Sequence, residues 1–363
     1  MNVVGIMSGT SLDGVDFVLT KVHRDQMKIE FSDMASTGFP RTLRERLQAA
    51  VDHRLTVDTL AELHFDLGRF YAREFQKIQK KKNWSVELMG LHGQTVYHRG
   101  SQATLQIGEP SFLAELTGVP VVADFRPSDI AAGGQGAPLA PLFHAAAFSG
   151  SANDFAVHNL GGISNLTLFQ NRQITLAFDT GPANMPIDFC MQLRTQGRLK
   201  YDVGGKLARK GRINDSLVRE GLKHPYFKKK APKSCGREEF GEKWIKALLK
   251  NFKKLEDRDL IASITELVAQ SIAGAYLQHV KSLPAEIIFC GGGAKNTFLL
   301  ERVQAHLPEV NVVTSEQRGW SSQAIEGAAF AFLAAARIWE MRLDYGSSTG
   351  ASRPIQLGKL VEL

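Results

Sequence analysis

The sequence predicts an α/β protein built from two domains with mixed sheets flanked by helices. At 363 residues the chain is longer than a single compact core usually allows, so two domains of ordinary size are expected. Short apolar runs typical of strands alternate with longer amphipathic stretches typical of helices. A glycine-rich turn between two apolar runs opens each half of the chain, at residues 8–14 and 161–164, and a strand, three glycines and a helix follow late in the second half.

Composition excludes several classes of protein. Hydrophobic residues make up 44% of the chain and charged residues 22%, which is typical of a soluble globular protein rather than a disordered or fibrous one. The formal net charge of +7 mildly favours anionic ligands. The basic residues are scattered, and the runs Lys80–Lys82 and Lys228–Lys230 have no interleaved aromatic residues, so we predict no nucleic-acid partner.

The cysteines and the apolar runs predict a cytoplasmic protein with no membrane partner. Cys190, Cys235 and Cys290 are widely spaced and form no zinc-binding pattern, which is typical of reduced thiols. The first residues lack the basic and apolar regions of a signal peptide. The longest apolar run, Ala328 to Ala336, is too short to span a bilayer.

The opening stretch is a candidate phosphate-binding hairpin. Val3 to Met7 and Val15 to Thr20 are predicted strands, joined by a turn of glycines and small hydroxyl residues. The turn's amides and hydroxyls could hold phosphate oxygens, and Asp13 could position Mg²⁺ directly or through water. The alternative is an ordinary tight hairpin. The candidate ATP-binding residues here are Gly9, Thr10, Ser11, Leu12, Asp13, Gly14, Val15 and Asp16.

Polar residues follow two further predicted strands of the first half. Before them, a strand and two helices are expected at Met27 to Met34, Arg41 to Val51 and Val57 to Lys82. Val86 to Leu91 leads into His92 and Thr95, and Val119 to Ala123 leads into Asp124 and Arg126. Open α/β sheets bind ligands beyond the carboxyl ends of their strands, so these four residues are binding candidates. The alternatives are a scaffold histidine and an internal Asp124–Arg126 ion pair beside a domain boundary at Gly133 to Pro138.

The second half repeats the glycine hairpin and adds a candidate catalytic acid. Phe155 to Leu160 and Asn165 to Phe169 are predicted strands, with Gly161 and Gly162 in the turn between them. The next strand, Ile174 to Phe178, is followed by Asp179 and by a helix that starts near Met185. Asp179 therefore sits where a strand delivers a side chain to a ligand site. A carboxylate that caps the helix is the alternative.

A third glycine motif lies near the end of the chain. The remaining elements are expected at Asp257 to Lys281, Glu286 to Cys290, Thr297 to His306, Asn311 to Thr314 and Ser322 to Met341. Gly291, Gly292 and Gly293 lie between a strand and a helix, where backbone can lie against an adenosine or its phosphates. Glu326 falls near the start of the last helix.

The order and spacing of the three glycine motifs resemble the actin-like ATPase and sugar kinase superfold, whose domains are ribonuclease H-like. The resemblance implies two related α/β domains that close on ATP in the cleft between them. Two hairpins would hold its phosphates, and the late glycine loop would hold its adenosine. The expected domains are residues 1–132, completed by residues 343–363, and residues 133–342.

Longer stretches are similar to the anhydro-N-acetylmuramic acid kinase family. They are Gly5–Asp16, His92–Thr95, Val122–Arg126, Ala131–Leu139, Asn159–Asn165, Phe178–Asn184, Pro232–Phe240 and Cys290–Asn296. Two places depart from the usual family pattern: Ala183 stands where the family generally has glycine, and the stretch Gly319–Ala324 leading to Glu326 differs.

This resemblance implies an unusual kinase of peptidoglycan recycling and amino-sugar catabolism. The enzyme would add water at C1 of 1,6-anhydro-N-acetylmuramic acid, open the anhydro bridge and transfer phosphate from ATP to O6 with the help of Mg²⁺. It assigns Asp179 as the base that activates the water. The implied sugar contacts are His92, Thr95, Asp124, Arg126 and Glu326. The resemblance also suggests a homodimer.

Three other functions compete with this one. A conventional sugar or amino-sugar kinase would share the fold and use Asp179 on a substrate hydroxyl. An actin-like ATPase that acts through a protein partner belongs to another class and is disfavoured because no peptide-binding domain is evident. A dinucleotide oxidoreductase is disfavoured because the three glycines lie late and no acidic residue ends the following strand at Thr314.

Overall fold

The computed structural model describes residues 1–9, 12–148, 150–171 and 173–362. The strands are β1 (Asn2–Met7), β2 (Gly14–His23), β3 (Lys28–Gly38), β4 (Leu88–Arg99), β5 (Ala103–Ile107), β6 (Val121–Ala123), β7 (Phe155–Leu160), β8 (Ile163–Gln170), β9 (Gln173–Pro182), β10 (Glu286–Cys290), β11 (Asn311–Thr314) and β12 (Lys359–Val361).

Helices cover the sheets. They are α1 (Arg41–Val51), α2 (Val57–Lys82), α3 (Ser111–Thr117), α4 (Phe125–Ala131), α5 (Pro141–Ala147), α6 (Asn184–Arg194), α7 (Asp215–Leu222), α8 (Arg237–Phe240), α9 (Glu242–Leu249), α10 (Asp257–His279), α11 (Thr297–His306), α12 (Ala324–Ile338) and α13 (Gly346–Thr349). Short 3₁₀ turns lie at Val203–Gly205, Ala208–Lys210, Pro225–Lys228, Gly292–Lys295 and Glu316–Arg318.

The chain divides into two compact units. Unit 1 comprises residues 1–150 and 323–363, and unit 2 comprises residues 151–322. The boundaries therefore differ from the expected domains at 132/133 and 342/343. The segment from Gly133 to Pro138 lies inside unit 1 because its loop is hydrogen-bonded to the C-terminal residues, and α12 lies in unit 1 because it packs on β1, β2 and β4.

The sheet of unit 1 has the strand order β12-β6-β4-β1-β2-β3, with β5 paired to the far end of β4. Neighbours β1 and β2, and β2 and β3, are antiparallel, whereas β1, β4 and β6 run parallel. Strand β4 continues beyond the sheet because its residues from Gln94 to Arg99 pair with β5. His92 and Thr95 consequently lie within β4. The sequence had suggested that they lie beyond the end of a strand.

The sheet of unit 2 repeats this arrangement, with the order β11-β10-β7-β8-β9. Here β7, β8 and β9 are antiparallel neighbours, and β7, β10 and β11 run parallel. Each unit thus contains three antiparallel strands followed by two parallel ones, in the same spatial order. The prediction of two related α/β domains of the actin-like class is confirmed.

Helix α12 lies unusually close to the sheet of unit 1. A Cβ atom on Gly5 of β1 would collide with the Gly327 carbonyl, and one on Gly90 of β4 would collide with the Phe330 carbonyl. Glycine on both strands lets the helix backbone rest directly on them. This contact fixes the start of α12, and with it Glu326, at the β1–β4 side of the sheet.

Helix α10 forms the centre of the unit 2 core. It is long and apolar enough to pass a length-and-composition test for a membrane span, but 83% of its apolar window is buried inside the protein. Its side chains pack with those of β7, β10, α6 and α11 in one continuous cluster. Burial on all sides explains its near-continuous hydrophobicity, as expected of a core helix.

Candidate active site

The β1–β2 hairpin in unit 1 can face a ligand mainly through its backbone. Thr10 and Ser11 lie outside the described residues. The Leu12 N–H donates to the Gly9 carbonyl (3.3 Å), and Leu12 has the left-handed φ of 53°. The Leu12 and Val15 side chains are buried in the unit 1 core. Any ligand contact they make must therefore use main-chain atoms.

The second half of this hairpin is held by β3. The Phe39 N–H donates to the Asp13 carbonyl (3.1 Å), and a Cβ on Gly14 would collide with the Thr37 carbonyl. Gly14 is thus needed for close strand pairing. The requirement for glycine at this position therefore has a structural cause in addition to the predicted phosphate binding. The Asp13 side chain is exposed.

A group of acids lies next to this hairpin. The Asp16 carboxylate accepts hydrogen bonds from Ser36 Oγ (2.5 Å) and Gln323 Nε2 (3.1 Å). Burial raises the pKa of Asp16, and the nearby Asp13 charge adds to that effect. Glu326 is reached by solvent, yet the surrounding protein desolvates it and, together with Asp16, raises its pKa. These carboxylates repel one another, so the site favours a cation or a cationic side chain.

Arg126 supplies that positive charge and is held by His92. Its Nε and Nη2 point at His92 Nε2 (3.2 and 2.9 Å), and its Nη1 donates to the Gly136 carbonyl (2.9 Å). His92 Nδ1 is 2.8 Å from the Gly93 carbonyl, so Nδ1 carries the proton and Nε2 accepts. Burial, with the Arg126 charge, lowers the pKa of His92 to about 3. Glu326 favours the charged guanidinium while burial opposes it.

Both nitrogens of His92 are therefore occupied, and its ring packs on Phe330 (4.4 Å between centroids). The scaffold alternative for His92 describes its contacts better than direct sugar binding does. Its neighbour Thr95 is half-buried and accepts from Gln106 Nε2 (3.2 Å). Asp124 pairs with Lys359 (2.8 Å) and not with Arg126, so the alternative of an internal Asp124–Arg126 ion pair is wrong.

In unit 2 the β7–β8 hairpin is fastened to the first turn of α6. The Gly162 carbonyl accepts from the Ala183 N–H (3.0 Å), and the Gly161 carbonyl accepts from the Asn184 N–H (3.1 Å). Ala183, at the position that departs from the family pattern, is fully buried. The two glycine carbonyls thus hold the hairpin against α6. Gly162 is exposed and is the part of the turn that a ligand can reach.

Asp179 lies within β9 and is held at several points by one loop. Its backbone N–H donates to the Lys233 carbonyl (2.9 Å), and its carbonyl accepts from Tyr226 Oη (2.6 Å). One carboxylate oxygen, Oδ2, accepts from the Cys235 N–H (3.0 Å). Burial raises the pKa of Asp179, the Cys235 bond lowers it, and the Glu238 charge raises it. The capping alternative is wrong, because α6 begins at Asn184 with no side-chain cap.

A cavity of about 460 Å³ lies beside the late glycine loop in unit 2. Gly292 and Gly293 line it together with Asn184, Ile187, Asp188, Tyr201, Asp202, Val203, Gly204, Lys295 and Asn296. Gly291 and Gly293 have no room for a Cβ, because Asn159 and Asn184 sit against them, whereas Gly292 faces open space. Burial raises the pKa of Asp188 to about 6.

Comparison with known proteins identifies the family. A sequence model described as anhydro-N-acetylmuramic acid kinase matches residues 1–362. This chain belongs to the anhydro-N-acetylmuramic acid kinase family. It is 39% identical to the protein of that name from Saccharophagus degradans over 366 residues, which cover 98% of this chain and 97% of the relative. It is 36% identical to the one from Caldanaerobacter subterraneus, with 99% and 96% covered.

Among solved structures, the chain is similar to the activator of 2-hydroxyisocaproyl-CoA dehydratase from Clostridium difficile with bound ADPNP. The identity is 11%, the TM-score is 0.45, and 94% of this chain and 97% of that one are covered.

In unit 1 of this kinase, four of the predicted site residues lie close together: Asp16, His92, Arg126 and Glu326. Most residues that line the unit 2 cavity were not predicted as site residues, among them Asp188, Tyr201, Val203 and Lys295. Tyr201 and Val203 are each 59% exposed. The signal available in the sequence was an aromatic residue close before two glycines, Gly204 and Gly205. Among the described residues, no group of three or more His, Cys, Asp or Glu side chains is placed to hold a metal ion.

Proposed function

We propose that this protein is an ATP-dependent kinase that opens 1,6-anhydro-N-acetylmuramic acid with water and phosphorylates O6. The products are N-acetylmuramic acid 6-phosphate and ADP, and the enzyme is a phosphotransferase with an alcohol group as acceptor. The observation that carries the proposal is the family match over residues 1–362. The held, half-buried carboxylate of Asp179 supports the hydrolytic half of the reaction.

Asp179 is the proposed general base. Cys235 binds Oδ2 through its backbone, which leaves Oδ1 to accept a proton from water. The water oxygen attacks C1, the C1–O6 bond breaks, and the electron pair goes to O6. A carboxylate whose pKa is raised by burial is a stronger base than one with an ordinary pKa. Attack opposite the bridge resembles an inverting glycosidase step.

O6 then bonds to the γ-phosphorus of ATP as the bond from that phosphorus to the β–γ bridging oxygen breaks. The substrate's own O6 is both leaving group and nucleophile, so no separate hydroxyl needs deprotonation. We assign the γ-phosphate to the backbone around Gly9, Asp13 and Gly14 in unit 1. In unit 2, the turn at Gly161 and Gly162 is assigned to the remaining phosphates.

Mg²⁺ fits the acids of unit 1. Kinase sites commonly hold this ion through one or two carboxylates, with phosphates and waters completing the shell. Asp13 is exposed beside the hairpin, and its charge raises the pKa of Asp16. Asp13 would hold the ion, directly or through water, and the ion would neutralise phosphate charge.

Arg126 and Glu326 are the proposed sugar contacts with the best geometry. His92 takes the side of the guanidinium that carries Nε, and Gly136 takes one hydrogen of Nη1. One hydrogen on Nη1 and one on Nη2 remain after these bonds, and we assign them to an anionic group of the sugar such as the lactyl carboxylate. Thr95 and Asp124 are assigned to sugar hydroxyls, and His92 acts through Arg126.

The cavity beside Gly292 is the proposed adenosine site. Its volume suits a purine and ribose, and it offers apolar surface from Ile187 and Val203, an aromatic ring from Tyr201 and polar groups from Asp188. We further infer that the protein acts in the cytoplasm in peptidoglycan recycling, and that it forms a homodimer.

A test of this function compares two acceptors with ATP. The protein should convert 1,6-anhydro-N-acetylmuramic acid to a 6-phosphate with stoichiometric ADP, and should use free N-acetylmuramic acid at least about a hundredfold less well by kcat/KM. That ratio corresponds to about 2.7 kcal/mol of transition-state preference. Phosphorylation of free N-acetylmuramic acid with no conversion of the anhydro-sugar would support a conventional amino-sugar kinase and refute the hydrolytic one.

A further inference from the structure

Asp129 of α4 is a fully buried carboxylate in unit 1 that the proposed chemistry does not use. Its Oδ2 accepts a hydrogen bond from the Gly136 N–H (2.6 Å), and its Oδ1 accepts one from the Thr349 hydroxyl (2.6 Å). Within the described residues no Lys, Arg or His forms an ion pair with it. Burying a carboxylate costs free energy unless its bonds repay it, so its presence calls for a reason.

Those bonds lead directly to Arg126. The Gly136 N–H donates to Asp129, and the Gly136 carbonyl accepts from Arg126 Nη1 (2.9 Å). The order of contacts is thus Thr349, Asp129, Gly136, Arg126 and then His92. The position of the guanidinium depends on where the Gly136 backbone is held.

The C-terminal residues fasten the same loop at two other points. The Thr349 carbonyl accepts from the Gln135 N–H (2.9 Å), and Ser352 donates to the Ala132 carbonyl through both its N–H and its hydroxyl (2.9 Å each). Gly134 must be glycine because a Cβ there would collide with the Asp129 carboxylate. The loop from residue 132 to 136 is therefore tied to the C-terminal segment at Ala132 and at Gln135.

We propose that Thr349 and Asp129 are positioning residues for the sugar site. They hold the Gly136 backbone so that the Arg126 guanidinium is placed for the anionic group of the sugar. The C-terminal segment from Tyr345 to Ser352 thereby becomes part of substrate recognition although it supplies no substrate contact itself. This inference rests on the proposed function, in which Arg126 binds the sugar.

The test replaces the Thr349 hydroxyl and measures each substrate separately. Thr349→Val removes the bond to Asp129 with little change of shape, and should raise KM for the anhydro-sugar about tenfold, as expected for a lost hydrogen bond to a charged group. KM for ATP should change less than about twofold, because the adenosine and phosphate groups are held elsewhere. Thr349→Ser should restore the wild-type KM because it restores the hydroxyl.

Ser348→Ala is the matched control, since Ser348 lies on the same short helix and, within the described part of the chain, donates only to the Tyr345 carbonyl. It should leave both KM values unchanged. An unchanged sugar KM in Thr349→Val, or an equal rise in both KM values with a lower melting temperature, would overturn the inference. If Thr349→Val fails to fold, the sugar and ATP KM values of Asp129→Asn decide by the same criterion. A wild-type protein that fails to phosphorylate the anhydro-sugar would instead refute the proposed function.

Discussion

His92 shows how a residue's partners decide its role. The sequence places it beside a predicted strand end, where a histidine could contact substrate or support the fold. In the structure its two ring nitrogens are hydrogen-bonded to the Gly93 carbonyl and the Arg126 guanidinium. The low pKa of about 3 keeps the ring neutral, so Nε2 stays an acceptor for Arg126 across physiological pH. Pairing partners 34 residues apart cannot be read from local spacing.

Asp179 shows the same limit. Its position at the end of an apolar run made it a catalytic candidate from sequence alone. The group that orients it, the Cys235 N–H, lies 56 residues further along the chain in a loop without regular pattern. Local sequence therefore predicted the acid but not its support.

At this scale we predict a pH effect of Glu238. A general base works when deprotonated, so kcat/KM should fall as the pH drops through the Asp179 pKa. The Glu238 charge raises that pKa, after the larger effect of burial. Glu238→Gln should lower it and move the acid limb of the kcat/KM profile to lower pH, with a larger shift at low salt.

Glu239→Gln is the control for this prediction. The Glu239 carboxylate pairs with Lys229 (2.7 Å) and is not among the groups that shift the Asp179 pKa. Its acid limb should match that of the wild type. An acid limb that does not move in Glu238→Gln would contradict the assignment of Asp179 as the titrating base.

At the scale of elements, the long helices and buried strands were predictable and the short ones were not. Periodicity placed α1, α2 and α11 at their observed bounds, because each buries one apolar face. Strands β5 and β12 were missed because both are short, and because the partner of β12, strand β6, lies far away in the chain. The start of α12 was predicted closely, but its attachment to unit 1 depends on glycines that carry no periodic signal.

We predict that Gly327→Ala destabilises unit 1. An added Cβ would meet Val18 Cγ2 at 2.5 Å, and Val18 is a buried β-branched residue with little freedom to move. The cost should be about 1–3 kcal/mol of unfolding free energy, measured by denaturant or thermal unfolding.

Gly274→Ala in α10 is the matched control, since it also changes a glycine inside a helix. A Cβ there would meet only Gln278 Nε2 at 3.8 Å. Alanine should be neutral or slightly stabilising at this position, because it favours helix. Equal effects of the two substitutions would show that α12 does not depend on close packing.

At the scale of the molecule, the two units share one strand order, and this could be anticipated from the repeated glycine hairpins. The boundaries of the units could not be anticipated. The chain rejoins unit 1 at residue 323, and this depends on tertiary contacts that leave no local pattern in the sequence. Composition contributed little beyond the expectation of two ordinary domains. The prediction of the substrate rested on long stretches that match a family and not on any physical pattern. Three alternative functions therefore stayed open until the family was known.

The most direct test of the central claim follows oxygen from ¹⁸O-labelled water. With ATP and 1,6-anhydro-N-acetylmuramic acid, we expect one ¹⁸O atom at the C1 hydroxyl of the product and none in its phosphate ester. Unlabelled product held in the same water for the same time corrects for exchange at C1. Asp179→Asn should still bind ATP but turn over at least about tenfold more slowly, a barrier change of about 1.4 kcal/mol or more. A phosphorylated product that keeps its anhydro bridge, or label in the phosphate instead of at C1, would contradict hydrolytic ring opening.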